Sequence, residues 1–172
     1  MTLDTLRQLE VHRLELQAEL DAAKSKQERN QLGQFATPSR LATAILQQAE
    51  HLLPYDQTIR FLDPAIGTGA FYSALLQVFP EQRIDAARGY EIDPHYGEPS
   101  RRLWRDRRAE IVIGDFTRAV PPEREVDRFN LLICNPPYVR HHHLQPDDKK
   151  HLQARAVHSF QAKISGLAGL YV

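Results

Sequence analysis

The stretch with the clearest chemistry is "LLICNPPYVRHHHL", residues 131 to 144, in which an apolar run ends in an asparagine, two prolines and a tyrosine. Each proline forces the preceding residue into an extended conformation, so the carbonyls of Asn135 and Pro136 are held in fixed directions. The side-chain oxygen of Asn135 and the carbonyl oxygen of Pro136 are then two preset acceptors. Acceptors that grip the N–H bonds of an exocyclic amine favour the geometry that makes its nitrogen nucleophilic, while Tyr138 stacks on the ring. The motif predicts a site that holds a nucleobase.

The same stretch continues with Arg140 and three consecutive histidines, His141, His142 and His143. An extended chain points consecutive side chains in alternating directions, so the three imidazoles cannot all face one metal ion. We therefore expect no metal site here. A substrate-side loop that contacts a phosphate or the bound nucleotide, with Arg140 as its fixed charge, is the better hypothesis.

Carboxylates follow two further apolar runs, at Asp63 in "FLDPAIGTGAF" and at Glu91 in "GYEID". In the first motif, Gly67 and Gly69 permit the backbone to approach a ligand closely before a helix starts. The third glycine of a dinucleotide fingerprint is absent, so this turn suits a ligand with an amino group better than a pyrophosphate. Glu91 stands where a doubly wound nucleotide fold places the carboxylate that binds ribose hydroxyls. A plain tight turn after Asp63, and a helix-capping role for Glu91 or Asp93, remain alternatives.

A third acidic position is Asp115 in "IVIGDF". Its carboxylate can accept a hydrogen bond from an exocyclic amine, and Phe116 can offer a ring face to a purine. An aspartate after a glycine is also an ordinary turn, and that alternative stays open for this position alone. Three acidic strand ends in register together predict a nucleoside site that also holds an amino-acid tail.

Alternating elements from residue 58 onward bring these positions together. The four segments "TIRFLDPA", "DAARGYEID", "AEIVIGDF" and "RFNLLICNPP" predict strands, and the segments between the first three predict helices. Strands that alternate with helices form a parallel sheet through right-handed crossovers, and ligands bind at the carboxyl ends of such strands. The polar positions described above follow strands, so they share one edge of the sheet.

Helices are also predicted outside the sheet. Residues 3–31 contain no glycine or proline and predict one helix, ended by Gly33 and packed on its own domain or on a partner. The segment "TPSRLATAILQQAEHLL" predicts a second helix with Thr37 as its N-cap and Pro38 at its first position. Residues 146–158 predict a third. The predicted apolar positions are Leu6, Leu9, Leu16 and Leu20 in the first helix and Leu41, Ile45 and Leu52 in the second.

Composition limits the classes of function without choosing one. The chain of 172 residues is 42% hydrophobic, and its 22 Lys and Arg residues balance 22 Asp and Glu residues, so net charge favours no particular ligand. Its single cysteine, Cys134, excludes an intrachain disulfide framework and is compatible with a reducing cytoplasm. No segment resembles a signal peptide or approaches the ~20 apolar residues of a membrane span. The sequence predicts a soluble cytoplasmic protein that makes no membrane contact.

In this order, "GQFATPSRLATAIL", "FLDPAIGTGAF", "GYEID", "IVIGDF" and "NPPY" resemble the gamma-class adenine-specific (N6) DNA methyltransferases, including the methylase part of restriction-modification enzymes. The resemblance covers residues 33 to about 145. It implies an α/β, Rossmann-like class I methyltransferase fold, with a parallel sheet that carries helices on both faces. It also implies S-adenosylmethionine as the cofactor and double-stranded DNA as the partner.

The resemblance further implies a role for each matched position. For the cofactor, it assigns the methionine end to Phe35, Thr37 and Pro38, and the amino acid group to Asp63, Gly67 and Gly69. It assigns the ribose to Glu91 and the adenine to Ile92, Asp115 and Phe116. For the substrate, it assigns the N6 amine of a flipped target adenine to Asn135, Pro136 and Tyr138.

The mechanism that the resemblance implies is in-line displacement at the sulfonium methyl, with proximity and orientation supplying much of the rate. The target base must leave the duplex. No covalent enzyme intermediate is needed, so Cys134 is assigned a structural role. Methyltransferases that act on RNA amines or on a protein glutamine share the NPPY motif and are one alternative; a non-catalytic remnant is another. The upstream "GQFATP" favours the DNA enzymes.

The sequence departs from the family in its extent. The family's sheet normally has seven strands and its DNA preference comes from a separate recognition region, whereas four strands are counted here. We expect a fold truncated after the fourth strand, an uncovered apolar edge and face, and the missing parts in the full-length chain or a partner. Residues 1–32 are expected to form an N-terminal helical segment and residues 33–172 the incomplete cofactor-binding domain. The chain alone should bind cofactor weakly and not turn over.

Overall fold

The computed structural model describes residues 1–31, 33–136 and 146–160. The chain divides into two compact units. The first contains Met1–Ala23 and Ala36–Asn135 and holds the sheet. The second contains Lys24–Phe35 and Pro136–Val172, and its described residues include two helices.

The first unit is built on a parallel sheet. Its strand order is β3-β2-β1-β4, and each neighbouring pair is parallel, because each crossover returns the chain to the same end of the sheet. The predicted α/β class and parallel sheet are confirmed. The strands are β1 Ile59–Asp63, β2 Ile84–Glu91, β3 Ala109–Ile113 and β4 Leu131–Leu132. The helices are α1 Leu3–Ala22, α2 Lys26–Gln31, α3 Ser39–Leu52, α4 Ala70–Val78, α5 Pro94–Trp104 and α6 Pro146–Phe160.

The two faces of the sheet differ in polarity, because side chains alternate between faces along each strand. On β1, Ile59 and Phe61 point into the hydrophobic core and are fully buried. The opposite face carries Arg60, and it also carries Arg88 and Glu110, whose side chains form an ion pair at 2.7 Å. The same face also carries Leu62, whose register partner Leu132 is 57% exposed, so charged and apolar residues share it, and the expectation of an uncovered apolar face stays a prediction.

The fourth strand is shorter than the segment predicted for it. Leu131–Leu132 pair with β1, and the preceding Asn130 uses its side chain to bond the Arg60 N–H at 2.9 Å and the Thr58 carbonyl at 2.7 Å. An asparagine that bonds to neighbouring backbone in this way replaces strand pairing. Beyond the strand, the Ile133 N–H donates to the Leu62 carbonyl at 3.1 Å. These bonds fix a short strand firmly against β1.

The single helix predicted over residues 3–31 is interrupted between α1 and α2. The Ser25 hydroxyl accepts a hydrogen bond from the Glu28 N–H at 3.2 Å, while the Glu28 carboxylate accepts from the Ser25 N–H at 2.8 Å. This reciprocal capping box starts a new helix. After α2, Gly33 adopts a left-handed conformation with φ 63°, as expected of a residue that ends a helix. α1 packs on α4 and α5 within its own unit.

α3 begins later than predicted. Pro38 occupies the N-cap position without a side-chain cap, and the helix starts at Ser39. Thr37, the predicted N-cap, lies outside the helix, and its hydroxyl serves another partner described below. The predicted N-cap is therefore wrong, because Pro38 adopts extended rather than helical backbone angles (φ −59°, ψ 138°).

The predicted apolar stripe of α3 is also wrong. Leu41 and Leu52 are 51% and 76% exposed, whereas Ala42 and Leu46 are fully buried. α3 packs extensively on α4. A small side chain such as Ala42 permits the two backbones to approach closely, which a bulky leucine at that position would prevent. The predicted partner Ile45 packs against the core as a partly buried residue.

α5 starts and ends on features that the sequence shows. The Asp93 carboxylate accepts from the His95 N–H at 2.9 Å and caps the helix, with Pro94 at the first position. At the other end, Trp104 is fully buried, while its neighbour Arg105 is exposed. The arginine-rich segment "RRLWRDRR" thus combines a solvated surface with one core anchor.

The helix predicted over residues 146–158 is confirmed by α6, which lies in the second unit. Among the residues that the structure describes, no helix combines the length and the apolar composition that a membrane span requires.

Candidate active site

The predicted polar positions gather at the carboxyl ends of the strands. Asp63 and Glu91 are the last residues of β1 and β2, and Asp115 and Asn135 follow β3 and β4 closely. The strand order reverses between β1 and β4, because the chain places β2 and β3 on one side of β1 and β4 on the other. Open parallel sheets bind ligands at this switch point. The first unit therefore gathers these polar residues where the fold class binds its ligands.

Asp63 is a buried acid at the centre of this edge, with 1% of its surface exposed. Its Oδ1 accepts a hydrogen bond from the Ala65 N–H at 3.1 Å. Burial, together with the negative charge of Glu91, raises the pKa of Asp63 from its ordinary 3.8 to about 7, against the opposing effect of the Ala65 N–H. A cationic group placed in the site would favour the charged carboxylate.

Glu91 organises the loop that follows β1. Its Oε2 accepts from the Gly67 N–H at 3.0 Å and its Oε1 accepts from the Asp93 N–H at 2.9 Å. These two bonds orient the carboxylate at the end of β2. Of the two capping alternatives, Asp93 caps α5 through the His95 N–H. The carboxylate of Glu91 instead connects β2 to the loop.

The two glycines of the loop differ in their surroundings. Gly67 has φ +55°, and a Cβ built on it would meet no atom within 4 Å. Gly69 has φ +92°, and a Cβ there would lie 2.4 Å from the Trp104 Nε1. Gly67 therefore borders open space that a ligand can fill, whereas Gly69 is required by packing against the indole. The cofactor role predicted for Gly69 remains a prediction beside this structural one.

Two contacts that hold this loop were not predicted. The Ile66 side chain lies on Gly89 of β2, where a Cβ would approach it to 2.3 Å. The Trp104 Nε1 donates to the Thr68 carbonyl at 2.9 Å. The signal for the first contact is the glycine of "GYEID", whose position just before the strand end indicates a close approach by another segment. The fixed loop is thus clamped from β2 and from α5.

The end of β3 carries a polar turn and an aromatic pair. The Asp115 Oδ1 accepts from the Thr117 N–H at 2.9 Å and from its hydroxyl at 2.7 Å, so the ordinary turn is present, and the acceptor role toward an exocyclic amine stays a prediction. The Phe116 ring packs edge-on against Tyr90 with centroids 5.2 Å apart. Ile92 is 62% exposed at the end of β2. An apolar side chain and an aromatic ring are therefore available near the strand ends for a flat ligand.

Asn135 connects the fourth strand end to the segment before α3. Its Nδ2 donates to the Thr37 Oγ1 at 3.3 Å, and Thr37 is buried. The donation occupies the Asn135 amide and leaves its side-chain oxygen as an acceptor. The adjacent Cys134 is half-buried, and burial, followed by the charge of Asp63, raises the pKa of its thiol to about 11. A protonated thiol is a poor nucleophile, which supports the structural role assigned to Cys134.

The remaining predicted positions fall elsewhere. Phe35, which is exposed, and Pro136 belong to the second compact unit. Pro38 is exposed at the N-cap of α3. The other substrate-side positions lie outside the described residues, and the roles predicted for them stay predictions; they are Tyr138, Arg140, His141, His142 and His143.

Comparisons with known proteins place this site in context. No family model matches the chain. Over 119 residues, 66% of its length, the chain is 34% identical to the type II methyltransferase M.XamI of Xanthomonas campestris pv. amaranthicola and covers 21% of that protein. It is 35% identical over 115 residues, 66% of its length, to M.CvrRI of Paramecium bursaria Chlorella virus XZ-6E and covers 26% of it. It is 28% identical over 148 residues, 86% of its length, to M.AccI of Acinetobacter calcoaceticus and covers 25% of it.

Solved structures match the fold. A Listeria monocytogenes protein assigned to the class I S-adenosylmethionine-dependent methyltransferases superposes with a TM-score of 0.65 at 19% identity, covering 95% of this chain and 48% of that one. The type IIG restriction endonuclease BpuSI superposes with a TM-score of 0.55 at 19% identity, covering 77% of this chain and 17% of that one.

The described strands and helices thus form the Rossmann-like fold of the class I methyltransferases. In sequence the chain is related to the type II methyltransferases, which confirms the predicted resemblance to the methylase part of restriction-modification enzymes. The chain spans about a quarter of the length of the curated relatives it matches.

Proposed function

We propose that this chain forms the cofactor-binding and base-gripping part of a DNA methyltransferase, which transfers a methyl group from S-adenosylmethionine to the N6 amine of a flipped adenine. The observation that carries the proposal is Asn135, held by Thr37 after β4, at the same edge of the sheet as Asp63 on the neighbouring β1 and Glu91 on the next strand, β2. This arrangement puts an amide acceptor next to carboxylates suited to the amine and the ribose hydroxyls of a nucleoside cofactor.

The residues of the strand ends fit such a cofactor. The open space at Gly67 gives a ligand access to the loop backbone. Asp63 can accept from an ammonium group, which stabilises its charged form, and Glu91 stands at the end of β2, where this fold class places the carboxylate that binds ribose hydroxyls. Ile92 and Phe116 supply the apolar contacts that an adenine needs. When bound, S-adenosylmethionine supplies a methyl group on a positively charged sulfur.

The base-gripping residues act by orientation. The Asn135 side-chain oxygen and the Pro136 carbonyl accept from the N6 amine, which directs the nitrogen lone pair toward the methyl donor. The Asn135 NH2 group donates to the Thr37 hydroxyl, and the proposal assigns the side-chain oxygen to the amine. Tyr138 stacks on the flipped base, with Arg140 and the three histidines on the substrate-side loop. Cys134, protonated at neutral pH, takes no covalent part.

The chain matches proteins named as type II methyltransferases, and this relationship favours DNA over an RNA or protein substrate in the proposal. Since the chain covers about a quarter of these proteins, target recognition is assigned to a separate region, in the full-length chain or in a partner. We expect the isolated chain to bind the cofactor weakly and to lack turnover.

Two measurements test the proposal. Calorimetric titration of the 172-residue chain with S-adenosylmethionine should give weak binding that Glu91→Gln weakens further, since an amide replaces one acceptor oxygen of the carboxylate. An assay with labelled S-adenosylmethionine on mixed-sequence duplex DNA, followed by digestion to nucleosides, then identifies any methylated base. Asn135→Ala serves as the inactive control in that assay.

The outcomes separate the candidate functions. Cofactor binding without label in DNA defines a binding fragment, as expected, and label in N6-methyladenine that Asn135→Ala abolishes defines a complete enzyme with the proposed chemistry. Label in another base of the DNA contradicts the proposed substrate, and so does label in RNA or in a protein glutamine when these replace DNA in the same assay. A chain that shows no cofactor binding at any tested concentration contradicts the proposal as a whole.

A further inference from the structure

A buried polar cluster joins α1 to the segments that carry the candidate site. At its centre, Arg13 of α1 is 1% exposed. Buried charges are rare unless they are paired and hydrogen-bonded, so a buried arginine on a helix that lies outside the recognised motifs needs an explanation. The members of this α1 cluster are Glu10, Arg13, Gln17, Ser39, Thr68 and Ser73.

The core of the α1 cluster is a two-pronged ion pair. The Arg13 Nε donates to the Glu10 Oε2 at 2.8 Å, and its Nη2 donates to the Glu10 Oε1 at 2.6 Å. Although burial opposes ionisation, hydrogen bonds from Arg13, Ser39 and Ser73 lower the pKa of Glu10 below its ordinary value. Both groups are therefore charged at neutral pH, in the planar geometry that makes such pairs directional.

The ion pair reaches two motif segments. The Arg13 Nη1 donates to the Thr68 Oγ1 at 3.2 Å, and Thr68 lies between the two glycines of the loop after β1. The Arg13 Nη2 donates to the Ser39 Oγ at 3.2 Å, and the Ser39 hydroxyl donates to Glu10 at 2.5 Å. Ser39 directly follows Thr37 and Pro38, the predicted methionine-end residues. One ion pair thus bonds to both segments.

Stability alone does not account for this arrangement. A buried ion pair often contributes no more than apolar residues of the same volume, because desolvation offsets the attraction. What such a pair does provide is a fixed geometry, since its donors and acceptors are satisfied in one arrangement only. Here that geometry sets the distance between the loop at Thr68 and the start of α3 at Ser39.

We infer that Arg13, with Glu10, is a positioning residue that holds the loop after β1 and the segment before α3 in the mutual geometry needed to bind the cofactor. This inference rests on the proposed function for the meaning of the site. It assigns α1, which carries none of the recognised motifs, to the support of the cofactor site.

The chain offers a matched control on the same helix. The Tyr96 hydroxyl donates to the Asp21 Oδ1 at 2.8 Å near the C-terminal end of α1, away from both motif segments. Thr68→Val removes a buried hydroxyl that bonds to α1 at Arg13 and Gln17, and Tyr96→Phe removes a buried hydroxyl that bonds to α1 at Asp21. Both variants remove hydrogen bonds to α1, but only Thr68→Val changes a residue of the loop after β1.

The experiment compares these variants in the full 172-residue chain by amide hydrogen exchange without ligand and by calorimetric titration with S-adenosylmethionine. The reporters are the N–H groups of Ile66, Gly67 and Gly69, which donate to Tyr90, Glu91 and Ile66 at 2.9, 3.0 and 2.8 Å. Thr68→Val should speed their exchange and weaken cofactor binding by about tenfold each, equal to about 1.4 kcal/mol. Tyr96→Phe should leave both within about twofold of the unmodified chain.

Two arginine variants complete the design. Arg13→Met should act in the same direction as Thr68→Val, and Arg13→Lys should restore part of the loss, because a lysine keeps the charge without the planar fork. If Arg13→Met fails to fold, Thr68→Val still decides, because it leaves the ion pair intact.

Equal effects of Thr68→Val and Tyr96→Phe on the loop amides would overturn the inference and leave the α1 cluster a general anchor of the helix. Absence of cofactor binding by the unmodified chain would count against the proposed function instead. The exchange rates would still decide whether Arg13 positions the loop, so the two failures are distinguishable.

Discussion

The loop after β1 and the segment after β4 carry the two halves of the candidate site, and they are built in different ways. The loop is held from β2 through Glu91, from α5 through Trp104 and from α1 through Arg13. Asn135, in contrast, lies beyond a two-residue strand, and its side chain donates to Thr37 at 3.3 Å.

This difference indicates that packing within the first unit fixes the conformation of the loop after β1, where the cofactor is proposed to bind, more than it fixes the orientation of Asn135, which is proposed to grip the base. A loop clamped by three elements is preorganised, and its ligand loses little free energy in ordering it. A residue that follows a short strand is oriented mainly by its own hydrogen bond. Cofactor binding should therefore be the more independent property of this chain, and three substitutions test that comparison.

The largest effect should come from Gly69→Ala. Its Cβ would overlap the Trp104 indole at a φ of +92°, so the sum of overpacking and backbone strain should lower the free energy of unfolding by about 2–5 kcal/mol. Gly67→Ala, at φ +55° with open space around its Cβ, is the matched control and should cost about 1–2 kcal/mol from strain alone. Urea unfolding measures both. Equal losses would mean that the indole does not clamp the loop.

The next effect concerns the buried carboxyl of Asp63. Its pKa rises from 3.8 to about 7 on folding, so the unfolded chain releases the proton first and the carboxyl lowers stability progressively as pH rises from about 4 to about 7. Asp63→Asn removes this pH-dependent loss of stability. The difference in free energy of unfolding, variant minus unmodified chain, should therefore increase by about 2–4 kcal/mol between pH 4 and pH 8. Thermal unfolding across that range measures it. A constant difference would place the carboxyl in contact with water.

The smallest effect should come from Thr37→Val at the base-gripping end. The variant loses one partly buried hydrogen bond to Asn135 and should lower the free energy of unfolding by about 0.5–1 kcal/mol while shifting the Asn135 side-chain amide resonance. Thr37→Ser keeps the hydroxyl and is the control. A loss above about 2 kcal/mol would show that this end is built as firmly as the loop, contrary to the comparison.

Much of the fold was predictable from local patterns. Apolar runs that ended in turn residues identified all four described strands, and their alternation with helices implied parallel pairing. The positions of Asp63, Glu91 and Asn135 at one edge followed directly, because the carboxyl ends of parallel strands share that edge. These features depend on the spacing of apolar residues and on the order of strands and helices along the chain, and both can be obtained directly from the sequence.

Other features depend on packing between distant segments, which periodicity does not reveal. In the sequence, Arg13 lies three residues from Glu10 and indicates a charged helix surface. In the structure, it is buried and donates hydrogen bonds to Thr68 and Ser39. In the sequence, Gly69 indicates a glycine that faces a ligand. In the structure, Trp104, 35 positions later in the chain, lies where a Cβ on residue 69 would be.

The buried face of α3 and the length of β4 were missed for the same reason. In the sequence, Ala42 is less apolar than Leu41 and was not chosen for the buried face. In the structure, Ala42 is fully buried on α3, which packs on α4. Beside β4, the Asn130 side chain adds two bonds to the backbone of β1 and the residue before it, and hydrophobic patterns do not record such bonds.

The position of the chain's single tryptophan has a practical consequence. Trp104 is fully buried, donates to the Thr68 carbonyl and meets the Tyr72 ring edge-on at 5.0 Å. Indole emission responds to hydrogen bonding and to the polarity around the ring, and every emitted photon at tryptophan wavelengths comes from this one position. The protein therefore carries its own optical probe on α5, in contact with the loop after β1, and an unlabelled sample in a stopped-flow fluorimeter can follow how fast that loop responds when a ligand arrives.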